Sequence, residues 1–359
     1  MLSFIKEEFS SWELLKCAKK PLVLYGMGNG ADRILARCQE EGIAVAGVFA
    51  SDEFVRGQSF WGFPVLTYNE ALTRWGDFIV LIAFASEDPV ILARFFALAA
   101  RHETYAPHVP LFPGEEVVSF AWLKRQEKQI QAAYDLWEDE PSRQVMADAL
   151  NYKLSGKLSY LTRTTERKAD LQEIFTFHQQ EVYADLGAYN GDTLKEFLGL
   201  VEGRYEHIYA LEPDKKNFAK LKSYVENEQL RKITLVEKGA WSHKDTLEFC
   251  QRGGRMSALG KEGKAQVEVT SIDEVLQGKP LTFVKMDVEG VEKETLLGGA
   301  QALRQYGPKL LVAAYHHDED LWRLPLLLRE LNPDYKLYLR RHPYVPCWEL
   351  NIFAKLEEQ

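Results

Sequence analysis

Two strand-to-loop junctions constrain this chain more than any other feature. Residues 181–187, EVYADLG, form an apolar run that breaks into Asp185-Leu-Gly187-Ala188-Tyr189-Asn-Gly191-Asp192, and the next run, HIYALEPD (207–214), ends in Glu212-Pro213. Glycines after a strand let the backbone turn sharply and approach a ligand, while an acid ending the next strand can accept hydrogen bonds from a ribose diol. The pattern predicts an α/β unit that holds a nucleoside. A dinucleotide site spaces its glycines G-x-G-x-x-G, to seat a pyrophosphate on a helix N-terminus. Here the spacing is D-x-G-x-x-x-G, with a carboxylate already in the loop. That charge repels pyrophosphate and suits a cationic ligand with an amino-acid tail, such as S-adenosylmethionine.

Five further apolar runs follow at ITLVEKGAW (233–241), FVKMDVEG (283–290), PKLLVAAY (308–315), YKLYLRR (335–341) and WELNIFAK (348–355), which makes seven strands. Shorter strand signals, TLEFCQ (246–251) and AQVEVTSI (265–272), lie between the third and fourth. Near the N-terminus, PLVLYGMGNG (21–30) reads as strand, tight turn and helix start, followed by AVAGVFA (44–50), a short strand at 63–66 and DFIVLIAFAS (77–86). Strands alternating with helices predict parallel sheets with covered faces. Between the two series, residues 121–143 read as one helix stopping near Pro141, with a second starting at Ser142. The expected organisation is an N-terminal Rossmann-like domain over 1–112, a helical connector over 113–180 and a larger α/β domain over 181–359.

Composition narrows the function classes. Apolar residues make up 46% and charged residues 27%, an ordinary globular balance. The longest apolar stretch, residues 78–85, is far short of the ~20 residues a membrane-spanning helix needs, and the opening segment lacks the plan of a signal peptide. A net charge of −9 disfavours a non-specific grip on nucleic acid. The four cysteines, Cys17, Cys38, Cys250 and Cys347, are scattered without zinc spacing, so a reducing, cytoplasmic setting and no metal site are expected.

In combination and order, EVYADLGAYNGDT, IYALEPDKKNFAKL, TSIDEV, FVKMDVEGVEKETLLGGA and the terminal PKLLVAAYHHDEDLWRLPLLL with YKLYLRRH resemble the FkbM family of S-adenosylmethionine-dependent methyltransferases over about residues 136–356. DEPSR (139–143) resembles a stretch preceding the catalytic domain in one branch. The resemblance implies a class I methyltransferase sheet with strand order 3-2-1-4-5-7-6 and an antiparallel last strand. It also implies that Asp185, Gly187, Ala188, Tyr189 and Gly191 hold the methionine portion, that Glu212 and Pro213 meet the ribose, and that Gly239, Ala240 and Trp241 contact adenine. Asp287 would face the reaction centre at the carboxyl edge of the fourth strand. The implied reaction is O-methylation, with a sugar or glycan-precursor hydroxyl as acceptor. An alcohol must lose a proton on methylation, and Asp287, His316 and His317 are the candidate bases. Arg340, Arg341 and His342 could meet an anionic substrate, and the glycine-rich loop over 251–263, with Arg252, Arg255 and Ser257, could cover an acceptor.

The N-terminal turn places Gly26, Gly28 and Gly30 after the first strand, with Asp52 beyond the second, as a nucleotide-binding unit would. Ala31 stands where the third glycine of a dinucleotide pattern belongs. The arrangement resembles Rossmann-like domains of sugar-modifying proteins, and binding of the nucleotide part of an activated sugar competes with a packing or dimerisation role, so homo-oligomerisation stays open. Two rival readings are an NAD(P)-dependent oxidoreductase using this turn and a non-catalytic nucleotide-sugar binding module. Neither requires the D-x-G-x-x-x-G and Glu-Pro pair.

Overall fold

The computed structural model describes residues 2–250, 258–259 and 265–357. It divides into two compact units, one of Met1–Gln131, Arg143–Thr164 and Arg341–Glu349, the other of Ala132–Ser142, Thr165–Arg340 and Leu350–Gln359. The residues expected as a separate connector over 113–180 are divided between the two. The single helix expected over 121–143 breaks at Gln126 into Phe120–Arg125 and Glu127–Asp135. Pro141 opens the next helix, Glu140–Ser155, instead of ending the previous one. In the first turn of a helix the missing N–H has no intrahelical partner to lose, so proline is tolerated there.

The first unit is built on strands β1 (Leu22–Tyr25), β2 (Gly47–Phe49), β3 (Ser59–Phe60), β4 (Phe63–Leu66), β5 (Ile79–Ile82) and β6 (Thr104–Tyr105), in the order β3-β4-β2-β1-β5-β6. β3 pairs antiparallel with β4, and β4, β2, β1, β5 and β6 are parallel. The unbroken apolar sequences of β1 and β5 are buried along their whole length, as interior strands covered on both faces require.

The second unit holds β7 (Val182–Leu186), β8 (His207–Leu211), β9 (Ile233–Val236), β10 (Gly239–Ala240), β11 (Asp245–Cys250), β12 (Ala258–Leu259), β13 (Ala265–Thr270), β14 (Phe283–Met286), β15 (Lys309–Ala313), β16 (Lys336–Arg341) and β17 (Leu350–Lys355). Its seven-stranded sheet runs β16-β17-β15-β14-β7-β8-β9, and β17 lies antiparallel to β15. Numbered within the sheet, that is the expected order 3-2-1-4-5-7-6. The third strand is shorter than its apolar run. It ends at Val236, and Gly239–Ala240 pair with β13 in a separate four-stranded sheet, β10-β13-β11-β12. Apart from residues 258–259, the glycine-rich loop over 251–263 lies outside the described residues.

Packing makes the central strands a rigid base. Tyr183 of β7 packs against both Phe283 of β14 and Phe197 of the helix Asp192–Leu200, with ring centroids 5.0 and 4.2 Å away. Such aromatic pairs add about 0.5–1.5 kcal/mol beyond the area they bury. Register then sets the site: Leu186 ends β7 opposite Met286 at the end of β14, so the loops that follow both strands leave the sheet side by side.

Candidate active site

The glycine loop is locked from beneath. Asp185 is fully buried; its Oδ2 accepts a 2.6 Å hydrogen bond from the Thr193 hydroxyl, and its Oδ1 lies 3.4 Å from Lys285 Nζ. Lys285, a buried cation on β14, also donates to the Gly187 carbonyl at 2.7 Å. Burial pushes the Asp185 carboxyl up, and Lys285 and Thr193 pull it back only in part. Burial alone would lower the Lys285 ammonium, but Asp185 and Asp287 hold it up. Lys285 thus ties β7, β14 and the loop together through the Asp185 carboxyl and the Gly187 carbonyl. Oδ1 of Asp185 accepts no hydrogen bond among the described residues.

Glycine is required at 187 for two reasons. Its φ is +79°, and a Cβ there would stand 2.0 Å from the Asp287 carbonyl oxygen. Gly191, at φ +94°, caps the helix Asp192–Leu200, where a Cβ would meet the Tyr224 ring. Between them, Ala188 is buried and donates its N–H to Leu211 O, while Tyr189 adopts φ +45° with its ring exposed. Non-glycine residues in this region cost of order 1–3 kcal/mol and cluster at functional sites. Glu212 fixes the strained turn by accepting from Tyr189 N on Oε2 and from Asp214 N on Oε1, both at 2.9 Å. Burial drives its carboxyl up to about 7, outweighing those amides. Pro213 packs toward Gly239, and Trp241 donates its N–H to Thr270 O at 2.8 Å, so residues 239–241 approach this edge from the smaller sheet.

Beyond β14 and β15 a second cluster forms. His316 is buried, with Nδ1 2.9 Å from Glu292 Oε1, and Nε2 3.5 Å from Asp287 Oδ1 and 3.6 Å from Glu289 Oε2. Burial alone would lower its pKa, but Glu292, Asp287 and Glu289 overcome that and hold it at about 10. An imidazolium has no lone pair, so this arrangement removes His316 as a base at neutral pH. His317 is also committed: its Nε2 lies 2.8 Å from the Gly290 carbonyl, an acceptor that requires the ring N–H there, and its backbone N–H donates to Asp320. Asp287 and Glu289 remain open, with 36% and 44% of their side chains exposed. Glu289 sits at φ +59°, and burial, then the like charges of Asp287 and Glu292, push its carboxyl up to about 7. The Tyr315 hydroxyl donates to Asp287, 3.2 Å from each carboxylate oxygen.

Lys285 and Tyr315 carry no motif of their own and are missed in the sequence. Their signals are positional, a lysine inside an otherwise apolar strand and an aromatic just beyond one. Arg340, Arg341 and His342 differ from the expectation of an anion-binding strand end, since all three are buried. Arg340 binds Asp139 at 2.6 Å and Ser142 at 2.9 Å, and lies 3.6 Å from Asp170. Arg341 donates to the Leu161 and Tyr344 carbonyls. DEPSR is thus a docking device for Arg340, with Ser142 Oγ also accepting from Leu339 N.

In the first unit, packing explains two of the three glycines: a Cβ on Gly26 would strike the Phe84 ring at 2.3 Å, and one on Gly30 the Ala83 carbonyl at 2.4 Å. Gly28, at φ +102°, opens the helix Asn29–Glu40 and faces open space. Asp52 is exposed, and Ser51 instead meets Tyr25 Oη at 2.7 Å and accepts from Arg94.

A sheet of this order, with ligand loops at the carboxyl ends of its central strands, is the Rossmann-like sheet of the methyltransferase class. Residues 185–346 match the family model described as the methyltransferase FkbM domain. The methyltransferase FkbM of Methylobacillus flagellatus KT shares the fold across 93% of this chain and 90% of its own, at 22% identity and a TM-score of 0.74. An rRNA methylase from Streptococcus thermophilus aligns over 55% of this chain and all of its own, at 12% identity and a TM-score of 0.38. Aeropyrum pernix fibrillarin, with natively bound S-adenosyl-L-methionine, aligns over 52% of this chain and 72% of its own, at 13% identity and a TM-score of 0.34. No curated protein matches the sequence. Among the described residues no helix is long and apolar enough to cross a membrane.

Proposed function

We propose that the second unit transfers a methyl group from S-adenosylmethionine to a hydroxyl of a sugar or glycan precursor. The observation that carries this reading is the locked D-x-G-x-x-x-G loop standing beside Glu212 and against Asp287. The residues fit the cofactor in three ways. The Gly187 backbone comes too close to Asp287 O for any side chain, the buried Asp185 Oδ1 is left without a hydrogen bond, and each Glu212 oxygen keeps a lone pair beyond its backbone amide for a ribose hydroxyl.

When bound, the cofactor supplies a methyl carbon made electrophilic by its sulfonium. The protein's part is orientation, since in-line displacement gains most from holding the reacting atoms in place. Glu212 accepts from the ribose diol, and the 187–191 backbone lines the methionine portion. Asp287 and Glu289, half-exposed carboxylates at the same edge, are placed to receive the acceptor's hydroxyl proton, with the Tyr315 hydroxyl orienting Asp287. His316 and His317 hold the loops and leave proton transfer to the acids. In the first unit, the open space above Gly28 supports binding of the nucleotide part of an activated sugar. The test is mass spectrometry of nucleotide-sugar and oligosaccharide panels incubated with the enzyme and S-adenosylmethionine. One added methyl on a hydroxyl, with S-adenosylhomocysteine formed in equal amount, supports the reading; methylation confined to nitrogen or carbon overturns the acceptor class.

A further inference from the structure

We propose that Asp287, Glu292 and His316 form a divalent-cation site at the carboxyl edge of β14 and β15. The three side chains come from the loop after β14, the start of the helix Glu292–Gly298 and the loop after β15. Among the described residues they form a group able to hold a metal ion, each offering one ligand atom, with those atoms within 4.8 Å of one another. Donors about 2.0–2.2 Å from a common ion stand ~3 Å apart when adjacent and ~4 Å when opposite, so a small side-chain adjustment closes the shell. Glu289 Oε2, 3.6 Å from His316 Nε2, offers a fourth oxygen.

The buried polar atoms of the cluster point the same way. His316 is 3% exposed, with Nδ1 2.9 Å from Glu292 Oε1. Glu292 is 1% exposed, and its second oxygen, Oε2, has no hydrogen-bond partner among the described residues. An unsatisfied buried carboxylate oxygen is costly, and within this cluster it marks a place built for a ligand. Outer contacts are already set: Val288 N–H donates to Glu292 Oε1 at 3.0 Å, and the Tyr315 hydroxyl donates to Asp287. Partners like these orient metal ligands and are part of a working site.

Binding releases the proton that His316 otherwise carries, and the resulting imidazole with two or three carboxylates suits a first-row divalent ion such as Mn²⁺. Three or four protein ligands leave coordination positions open on the exposed side. There, resting on the methyltransferase reading, an acceptor hydroxyl would bind the ion, lose its proton to water or, where Glu289 stays outside the shell, to that carboxylate, and take the methyl carbon as oxygen forms its bond and sulfur keeps the electrons of the broken one.

The test is titration of the chelator-treated, full-length protein with MnCl₂, reading free Mn²⁺ by electron paramagnetic resonance. The expected result is about one saturable site per chain, weakened at least tenfold in Asp287→Asn and in His316→Gln. Asp287→Asn keeps the test decisive if His316→Gln fails to fold, because Asp287 is partly exposed. Absence of Mn²⁺ binding by the wild type, or binding unchanged in a folded variant, overturns the site. S-adenosylmethionine binding measured on the same samples separates the two claims: Mn²⁺ binding without cofactor binding keeps the metal site and removes the methyltransferase reading, and the converse result does the opposite.

Discussion

Lys285→Met removes one partner of a buried ion pair and keeps a side chain of similar length. Asp185, fully buried, is left with the Thr193 hydroxyl alone, and the Gly187 carbonyl loses its donor. Removing one partner of a buried pair typically costs about 3–5 kcal/mol, because the remaining charge stays desolvated. That is a large part of an ordinary stability of about 5–15 kcal/mol. Lys285 now lowers the Asp185 pKa, so its loss raises that pKa further above the unfolded value of about 3.9. The folded variant then binds a proton that the unfolded chain lacks, and the deficit is greatest above the folded pKa and shrinks as pH falls toward the unfolded value. Urea unfolding at pH 8 and pH 5.5 reads both effects, and Asp185→Asn combined with Lys285→Met should recover most of the loss. A single variant within about 0.5 kcal/mol of wild type at pH 8, or a deficit that grows on acidification, would refute the argument.

Three further outcomes are expected. Gly187→Ala places a β-carbon 2.0 Å from Asp287 O at φ +79°, a conformation that costs an L-residue roughly 1–2 kcal/mol before the clash is relieved; S-adenosylmethionine affinity should drop at least tenfold with the circular dichroism spectrum retained, and unchanged affinity would show that the loop does not line the cofactor. Because the Glu212 carboxyl is raised to about 7, the folded state takes up a proton on acidification from pH 8 to 5, so Glu212 destabilises the fold less while losing its charge toward the ribose; calorimetry should show cofactor affinity falling through pH 7, and a flat profile would remove Glu212 from that role. Arg340→Met removes the buried cation that pairs with both Asp139 and Asp170, at a cost of about 3 kcal/mol and a melting point several degrees lower; a melting point unchanged from wild type would make the network energetically idle.

What the sequence made legible follows from where the information lies. The strands could be anticipated because the apolar runs at 181–187, 207–214, 283–290 and 308–315 are local signals, each ending in a loop whose residue types have local reasons, whereas their order in the sheet came only from the family resemblance. The boundary of the third strand was hidden, since ITLVEKGAW is continuous in hydropathy and only pairing partners separate β9 from β10. Pro141 was misread because proline serves the first turn of a helix as readily as it ends one. Lys285 beneath Asp185, and the roles of His316 and Arg340, depend on side chains that meet across 24 to 201 residues of chain. Distance in sequence carries no sign of such a pairing, and a buried arginine has the same letter as a solvated one.

The central claim is that the locked loop and Glu212 form the cofactor site of a methyltransferase. Its most direct test is calorimetric titration of the purified full-length protein with S-adenosylmethionine and S-adenosylhomocysteine, beside NADH and NADPH. The account predicts saturable binding of both sulfur ligands at one site per chain, abolished by Asp185→Ala with the fold retained, and no heat from the nicotinamide cofactors. Silence from both sulfur ligands, with NADH or NADPH bound instead, would contradict it and move the chemistry to the glycine turn of the first unit.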